Sequence, residues 1–324
     1  MLFVNAETVE RLLPMGNCIR IMREALVDYS YKKTTQAPRV AMRIERGKIL
    51  GVMPCAIKAK HVAGAKIITV FPGNFKNGLP SHQGVVAVFE TETGRLRAVV
   101  DGEAITGIRT AAVSAVATDA LSRRNSRALC IMGSGLQARR HLEAIRLVRN
   151  ITEVRVWDID TASAVRYAEE MREIHNIPVV SYGDDAEKAA YGADIICTVT
   201  AAKQPILLKQ HVAPGTHINA VGACAPADRE LDSQLVAGAL FYCDSTESVM
   251  LESGDYLIPL KEGRIAEGHM LGEIGRVLMG RLHGRENPED VTIFESLGLA
   301  VEDLTAADYI VNLIESGEAG DTQD

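Results

Sequence analysis

No window of this 324-residue sequence holds the roughly 18 charge-free apolar residues that a membrane-spanning helix needs. The first ten residues carry Glu7 and Glu10 and are not followed by an apolar signal core, so neither a signal peptide nor a membrane anchor is expected. Nor is there an excess of positive charge. Against 42 acidic residues stand 35 Lys and Arg, giving a formal charge of -7 and no long-range attraction for nucleic acid or an anionic membrane. The six cysteines (Cys18, Cys55, Cys130, Cys197, Cys224, Cys243) form no CxxC pair and no cluster with histidines. This excludes a disulfide framework and a zinc site as readings, and no bound metal is expected. The thiols suit a reducing compartment, so a soluble cytoplasmic protein is the expectation. Internal repeats and low-complexity tracts are also missing.

What is present is a long chain with 47% hydrophobic residues, enough for two cores. It is organised around Ala128 to Ile145, ALCIMGSGLQARRHLEAI. A short apolar run breaks at Gly133-Ser134-Gly135 and resumes with helical spacing, as in the strand, turn and helix start of a dinucleotide-binding unit. Gly133 permits the turn, Gly135 lets the backbone approach a pyrophosphate, and Ala138 lets the helix lie close to its strand. The phosphates would rest on amides at the helix N-terminus. Further on, Val154 to Trp157 reads as a second strand ending in Asp158, placed to bind the adenosine ribose and to repel a 2'-phosphate. No arginine follows, since the next residue is Ile159, and NAD is therefore expected over NADP.

Before this region, the residues up to about 118 read as a capped helix followed by short strands. The strand candidates are VAMRI from Val40, KILGVMPCAI from Lys48, HVAGAKIITVFPG from His61 and GVVAVFETETGRLRAVVDG from Gly84. An alanine-rich helix is expected from Ile105 to Leu121, with Arg109 and Thr110 in its first turn. After the glycine turn, strands alternate with helical patterns, which argues for a parallel sheet covered on both faces. Thr198 and Thr200 close one of these strands, where a dinucleotide would cross the sheet. Residues 245 to 286 read as helix and loop, and the last eight residues are expected to fray. The expected fold is α/β, a Rossmann domain spanning 119–302 inserted into an α+β domain formed by 1–118 with 303–324.

The residues able to carry chemistry in the first domain are Arg39, Arg43, Lys66, His82, Gln83 and Arg109. Lys66 interrupts an apolar stretch. If buried, it needs a charge partner, which a bound carboxylate would supply, and burial would bring its pKa toward the range useful for proton transfer. A solvent-facing edge-strand lysine is the alternative. Arg109 can clamp a carboxylate with its guanidinium fork or make an interdomain salt bridge. His82, beside Gln83, can serve a substrate or cofactor amide or be structural.

With these residues in view, the sequence resembles the ornithine cyclodeaminase and mu-crystallin family, which includes alanine dehydrogenases and ketimine reductases. The matching segments run through nearly the whole chain: Pro38-Arg39, Met53-Pro54, GAKIITVFPGN from Gly64, HQGVVAVFETETG from His82, DGEAITGIRTAAVSA from Asp101, GSGLQA, NAVGA from Asn219, REL from Arg229, GDYLIP from Gly254 and SLGLAVED from Ser296. The resemblance implies a first domain that dimerises through its sheet and is completed by the C-terminal helix. It also implies a carboxylate site at Arg39, Lys66 and Arg109, with the substrate between that site and the nicotinamide of NADH. It extends the cofactor-binding set to Thr110, Ser134, Leu136, Gln137, Ile159, Asn219, Val221 and Gly298, and places Cys224 at the substrate.

Departures from the family pattern bear on the substrate. Cyclodeaminase members place an aspartate after NAxGA, where this chain has Cys224, and an acid two residues before Met-Pro, where it has Gly51. An ornithine side chain would lose both counter-charges. With those acids missing and Arg43 adding a cation on the strand of Arg39, the reading leans to a substrate with two carboxylates, iminosuccinate reduced to L-aspartate. Alanine-type and cyclic ketimine substrates with one carboxylate are the alternative. Ornithine cyclodeamination and a non-enzymatic NAD(P)H-binding role stand behind them.

Overall fold

The computed structural model describes residues 1–318 and divides the chain into two compact units, Met1–Arg109 with the chain from Gly298 onward, and Thr110–Leu297. Residues 319–324, part of the tail expected to fray, lie outside the described residues. The joints fall earlier than the expected 118/119 and 302/303. Composition marks only the polar stretch Ser122 to Ser126, which follows the connecting helix, whereas the division falls inside that helix.

In the first unit, β1 (Leu2–Val4) precedes α1 (Ala6–Leu12), whose first turn is capped by Asn5 accepting from the Thr8 amide at 3.0 Å. Pro14 separates α1 from α2 (Met15–Ser30). The strands β2 (Thr34–Gln36), β3 (Val40–Glu45), β4 (Lys48–Ile57), β5 (Val62–Val70), β6 (His82–Glu90) and β7 (Leu96–Asp101) follow. Their sheet runs β1-β7-β6-β5-β4-β2 with β3 also on β4, antiparallel except for the β1-β7 pair. The helix α3 (Gly102–Leu121) begins three residues before the expected Ile105. Asp101 caps it, accepting from the Ala104 amide at 2.8 Å. Arg109 and Thr110 therefore lie beyond the first turn.

Strand pairing sorts this sheet into rows. Met53, Lys66 and Val86 pair directly, so their side chains share one face. The next row on that face is Ala41, Gly51, Ile68 and Gly84, and the row after it Arg43, Ile49, Val70 and His82. The helix Ala300–Glu315 packs against α2 and against β4, β5 and β6. On the opposite face Val40, Met42, Ile44, Ile67 and Val85 are exposed.

The second unit starts with β8 (Ala128–Met132), α4 (Leu136–Val148), β9 (Glu153–Trp157), α5 (Thr161–His175) and β10 (Val179–Ser181). Then come α6 (Ala186–Ala190), β11 (Ile195–Thr198), β12 (His217–Ala220), α7 (Ser233–Ala237), β13 (Leu240–Cys243), α8 (Thr246–Glu252) and α9 (Gly254–Lys261). The unit ends with β14 (Met270–Glu273), α10 (Ile274–Leu278) and β15 (Thr292–Glu295), after which α11 (Ala300–Glu315) returns to the first unit. All eight strands are parallel, in the order β10-β9-β8-β11-β12-β15-β13-β14. The order reverses between β8 and β11, the switch point beside which doubly wound sheets bind dinucleotides. The segment expected to be helix and loop contains β14, whose sequence MLGE has neither the alternation nor the β-branched content that marks a strand.

Candidate functional site

The glycine turn lies where the sequence places it, at the carboxyl end of β8. Gly133 adopts φ +113°, its amide donates to the Trp157 carbonyl at 2.7 Å, and a Cβ there would stand 2.9 Å from the Val199 carbonyl oxygen. Glycine is thus required by both conformation and packing. Gly135 differs, since a Cβ would meet nothing within 4 Å. The space above it is open, and α4 begins there without a side-chain cap, leaving its first amides directed at that space. These features fit a pyrophosphate. Arg139 holds the turn through the carbonyls of Ser134 (2.8 Å) and Gly135 (3.2 Å), and fully buried Ala138 lets α4 pack closely.

Asp158 directly follows β9 and accepts from the Ser134 hydroxyl at 2.6 Å and from the Asp160 amide at 2.9 Å. Its carboxylate is held in place while retaining lone pairs for ribose hydroxyls. Leu136 and Ile159 are exposed beside the turn, and Gln137 is half-buried. Thr198 closes β11 and accepts the Val221 amide on its carbonyl at 3.1 Å, with Thr200 two residues beyond. Thr110 is buried at the start of this unit. Asn219 is fully buried, and its amide donates to Thr118 at 2.9 Å and Cys197 at 3.6 Å, so its side chain ties β12 to α3 and β11. Cys224 is exposed, its thiol 3.3 Å from the Val221 carbonyl.

In the first unit a cluster of charges occupies the Lys66 face. Lys66 is 4% exposed, with Nζ 2.8 Å from Asp303 Oδ2 and 3.4 Å from the Thr106 hydroxyl. Burial lowers its pKa to about 8 against the pull of Asp303 upward, and Arg109 lowers it further. Arg109, equally buried, donates from Nε to Asp303 at 2.9 Å and from Nη1 to Glu302 at 2.8 Å. Both acids are completely buried, and Asp303 is held below the usual carboxylate range by Arg109 and Lys66 despite its desolvation. Arg39 donates to the Gly298 carbonyl at 3.2 Å. Gly298 adopts φ +81°, and a Cβ there would come within 2.6 Å of Arg109 Nη1. Its glycine identity therefore serves the approach of Arg109.

The structure brings Arg39, Lys66 and Arg109 together and corrects two expectations. Lys66 takes its charge partner from the protein, Asp303, before any substrate binds. Gln83 and His82 part company, because His82 shares a row with Val70 on the Lys66 face while Gln83 pairs with Thr69 and projects from the opposite one. Desolvation and the positive charge of Lys66 hold the His82 imidazole below its usual pKa. Arg43 lies on the Lys66 face but is exposed and two rows away, about 13 Å along the strands at the usual rise per residue. Sequence reasoning missed Asp303, Glu302 and Thr106. Two adjacent acids in the apolar stretch SLGLAVED, set beside two cations in apolar stretches elsewhere, were the available signal.

A sequence profile described as the ornithine cyclodeaminase/mu-crystallin family matches residues 1–318. The chain belongs to this family. Its relatives include mouse ketimine reductase mu-crystallin, 40% identical over 321 residues, 98% of each chain. Among solved structures, Thermococcus litoralis Δ1-pyrroline-2-carboxylate reductase in complex with NADH and L-proline superposes with a TM-score of 0.95 at 35% identity, covering 98% of each chain. Iminosuccinate reductase of Paracoccus denitrificans in complex with NAD+ follows at 0.90 and 28% identity, again over 98% of each chain. The family member described here is an oxidoreductase with the mixed α/β architecture of those neighbours. None of its described helices is long and apolar enough to cross a membrane, and no group of three or more His, Cys, Asp or Glu among the described residues could hold a metal.

Proposed function

We propose that this protein reduces an α-imino acid bearing one carboxylate, most simply a cyclic ketimine, to the corresponding L-amino acid with NADH. The observation that carries the reading is the placement of the cations on the Lys66 face. Arg39, Lys66 and Arg109 gather around the buried acids Asp303 and Glu302, cations suited to hold one substrate carboxylate, whereas Arg43, the further cation on that face, lies two rows away. The adjacent row of Ala41, Gly51, Ile68 and Gly84 offers small and aliphatic surface to the rest of the substrate, with neither of the acids a diamino acid would need.

In this reading Arg39 and Arg109 orient the carboxylate and Lys66 delivers a proton to the imine nitrogen. When bound at Gly133, Gly135, Ala138 and Asp158, the nicotinamide cofactor supplies the hydride for the imine carbon. Lys66 then regains its proton from water, with Asp303 favouring the charged form. NADH in the relatives' structures and the acid at Asp158 support NAD over NADP. The exposed apolar face of Val40, Met42, Ile44, Ile67 and Val85 supports assembly as a homodimer through the sheet.

Arg43 favours a second reading, iminosuccinate, because it lies on the same face as Lys66. The two-row separation argues against it, since the two carboxylates of iminosuccinate are only two carbons apart. Oxidation of NADH, with NADPH as control, tests both. The panel is Δ1-pyrroline-2-carboxylate, pyruvate with methylamine, and oxaloacetate with ammonium. Turnover confined to oxaloacetate with ammonium would overturn the one-carboxylate reading, and no turnover with any of them would overturn the reductase assignment.

A further inference from the structure

A second charged group, in the other unit, has no part in the site just described. Glu230 is fully buried and hydrogen-bonds with no basic side chain among the described residues. Its Oε1 accepts from the Thr200 amide at 2.7 Å and the Thr200 hydroxyl at 2.6 Å, and its Oε2 from the Gly222 amide at 2.8 Å. Thr200 lies just beyond β11 and Gly222 just beyond β12, so one carboxylate joins the loops at the carboxyl ends of neighbouring parallel strands. The packing leaves no slack, because a Cβ on Gly222 would stand 2.1 Å from the Thr200 carbonyl oxygen and 2.7 Å from the Glu230 carboxyl. Glu230 is itself anchored, its amide donating at 2.9 Å to Asp255, which also takes the Leu231 amide at 2.8 Å.

The dinucleotide crosses a doubly wound sheet with its adenosine half over the first strands, here the Gly133 turn and Asp158, and its other half over the strands beyond the switch point. We infer that Glu230 is a positioning residue for the nicotinamide half of the cofactor, fixing the Thr200 and Gly222 loops against which that half rests. The inference depends on the reading that this unit binds NADH. Burial raises the Glu230 carboxyl while the Thr200 and Gly222 donors pull it down, and burial together with Glu230 raises the Asp255 carboxyl. The arrangement is that of a carboxyl group held by oriented donors, with a second buried acid behind it.

The test uses the full-length protein and two probes, NADH and ADP-ribose, the second lacking the nicotinamide. Glu230→Gln retains an acceptor for Thr200 but turns an amide donor toward the Gly222 N–H. The expected result is NADH binding weakened about tenfold, from one charge-assisted bond lost, with ADP-ribose affinity unchanged and KM for NADH rising more than kcat falls. Equal weakening of both probes would overturn the inference, as would no change in either. Should Glu230→Gln fail to fold, Thr200→Val removes the hydroxyl's bond to Glu230, together with the one it accepts from the Ala202 amide, and the same split is expected at smaller size. If the wild-type protein binds neither probe, the NADH reading fails rather than the role of Glu230.

Discussion

Replacing Asp303 with asparagine preserves shape and removes the charge that Lys66 and Arg109 share. In the wild type the carboxylate stands 2.8 Å from Lys66 Nζ and 2.9 Å from Arg109 Nε, and Lys66 has a pKa of about 8. Asp303 raises that value against burial, so its loss lowers it further. An opposite charge at such range moves a pKa by about 1–3 units. If the protonated lysine is the acid, the wild type keeps most of its activity at pH 7, and the variant retains between about half and a hundredth of that. The assay is kcat/KM for a cyclic ketimine as a function of pH, because this ratio reports groups of the free enzyme. Titration of the imine itself is common to both proteins and cancels in the comparison. The falling limb at high pH should move to lower pH in Asp303→Asn, with activity recovered on acidification. A uniform loss with the limb unmoved would refute Lys66 as the titrating acid and reduce Asp303 to a structural role. Removing one partner of a buried pair costs about 3–5 kcal/mol, but Lys66 can relieve part of this by releasing its proton. The stability deficit should therefore shrink as pH rises toward about 8 and level off above it, where the wild-type lysine is also neutral.

Lys66→Met should abolish turnover while leaving NADH affinity intact, because the glycine turn belongs to the other unit and Arg109 still neutralises Asp303. Since burial lowers the Lys66 pKa from 10.5 to about 8, the unfolded chain binds more protons between those values and wild-type stability rises across that window. Thermal unfolding of the Met variant should lack this rise. Arg43→Ala should leave turnover of a one-carboxylate imine unchanged, and a selective loss of activity with oxaloacetate and ammonium would instead bring Arg43 into the site. Gly133→Ala, forced to φ +113° and to 2.9 Å from the Val199 carbonyl oxygen, should cost about 1–3 kcal/mol in unfolding experiments and weaken NADH binding. Met42→Asp, on the exposed apolar face, should shift the molecular mass measured by light scattering from dimer to monomer, and an unchanged mass would remove that face as the interface.

Local signals were read correctly where the physics is local. The apolar run KILGVMPCAI marks β4 over its observed length, and Gly133-Ser134-Gly135 stands between a strand and a helix as the turn requires. A one-residue offset was enough to mislead elsewhere. His82 and Gln83 are neighbours with the same apparent promise, and only the register of β6 against β5 separates their faces. The alanine-rich run places the start of α3 too late, although Asp101 stands three residues before Ala104 in the right chemical form to cap it. At Asn219 the amide donates to Thr118 and Cys197 inside the unit, partners that no local pattern in the sequence announces.

The hardest part to read was also the part that decides the chemistry. Arg109 and its acids are separated by more than half the chain, so no window of sequence contains the pair, and neither hydropathy nor periodicity links them. Yet each half of the cluster was locally anomalous, a lysine in an apolar strand and two acids entering an otherwise buried helix. A buried charge without a partner is too costly to persist, so such anomalies must be resolved in pairs. Matching them requires only that charges balance. In this chain Lys66 and Arg109 meet Asp303 and Glu302, and Arg39 joins them at Gly298, so the proposed one-carboxylate substrate finds its cations grouped at one end of the face. A substrate with two would need Arg43 to leave solvent and reach across the row of Ala41, Gly51, Ile68 and Gly84. The pairing of Lys66 and Arg109 with the C-terminal helix therefore concentrates cations at one end of the face, and the proposal of a one-carboxylate substrate follows from that spacing rather than from any single residue.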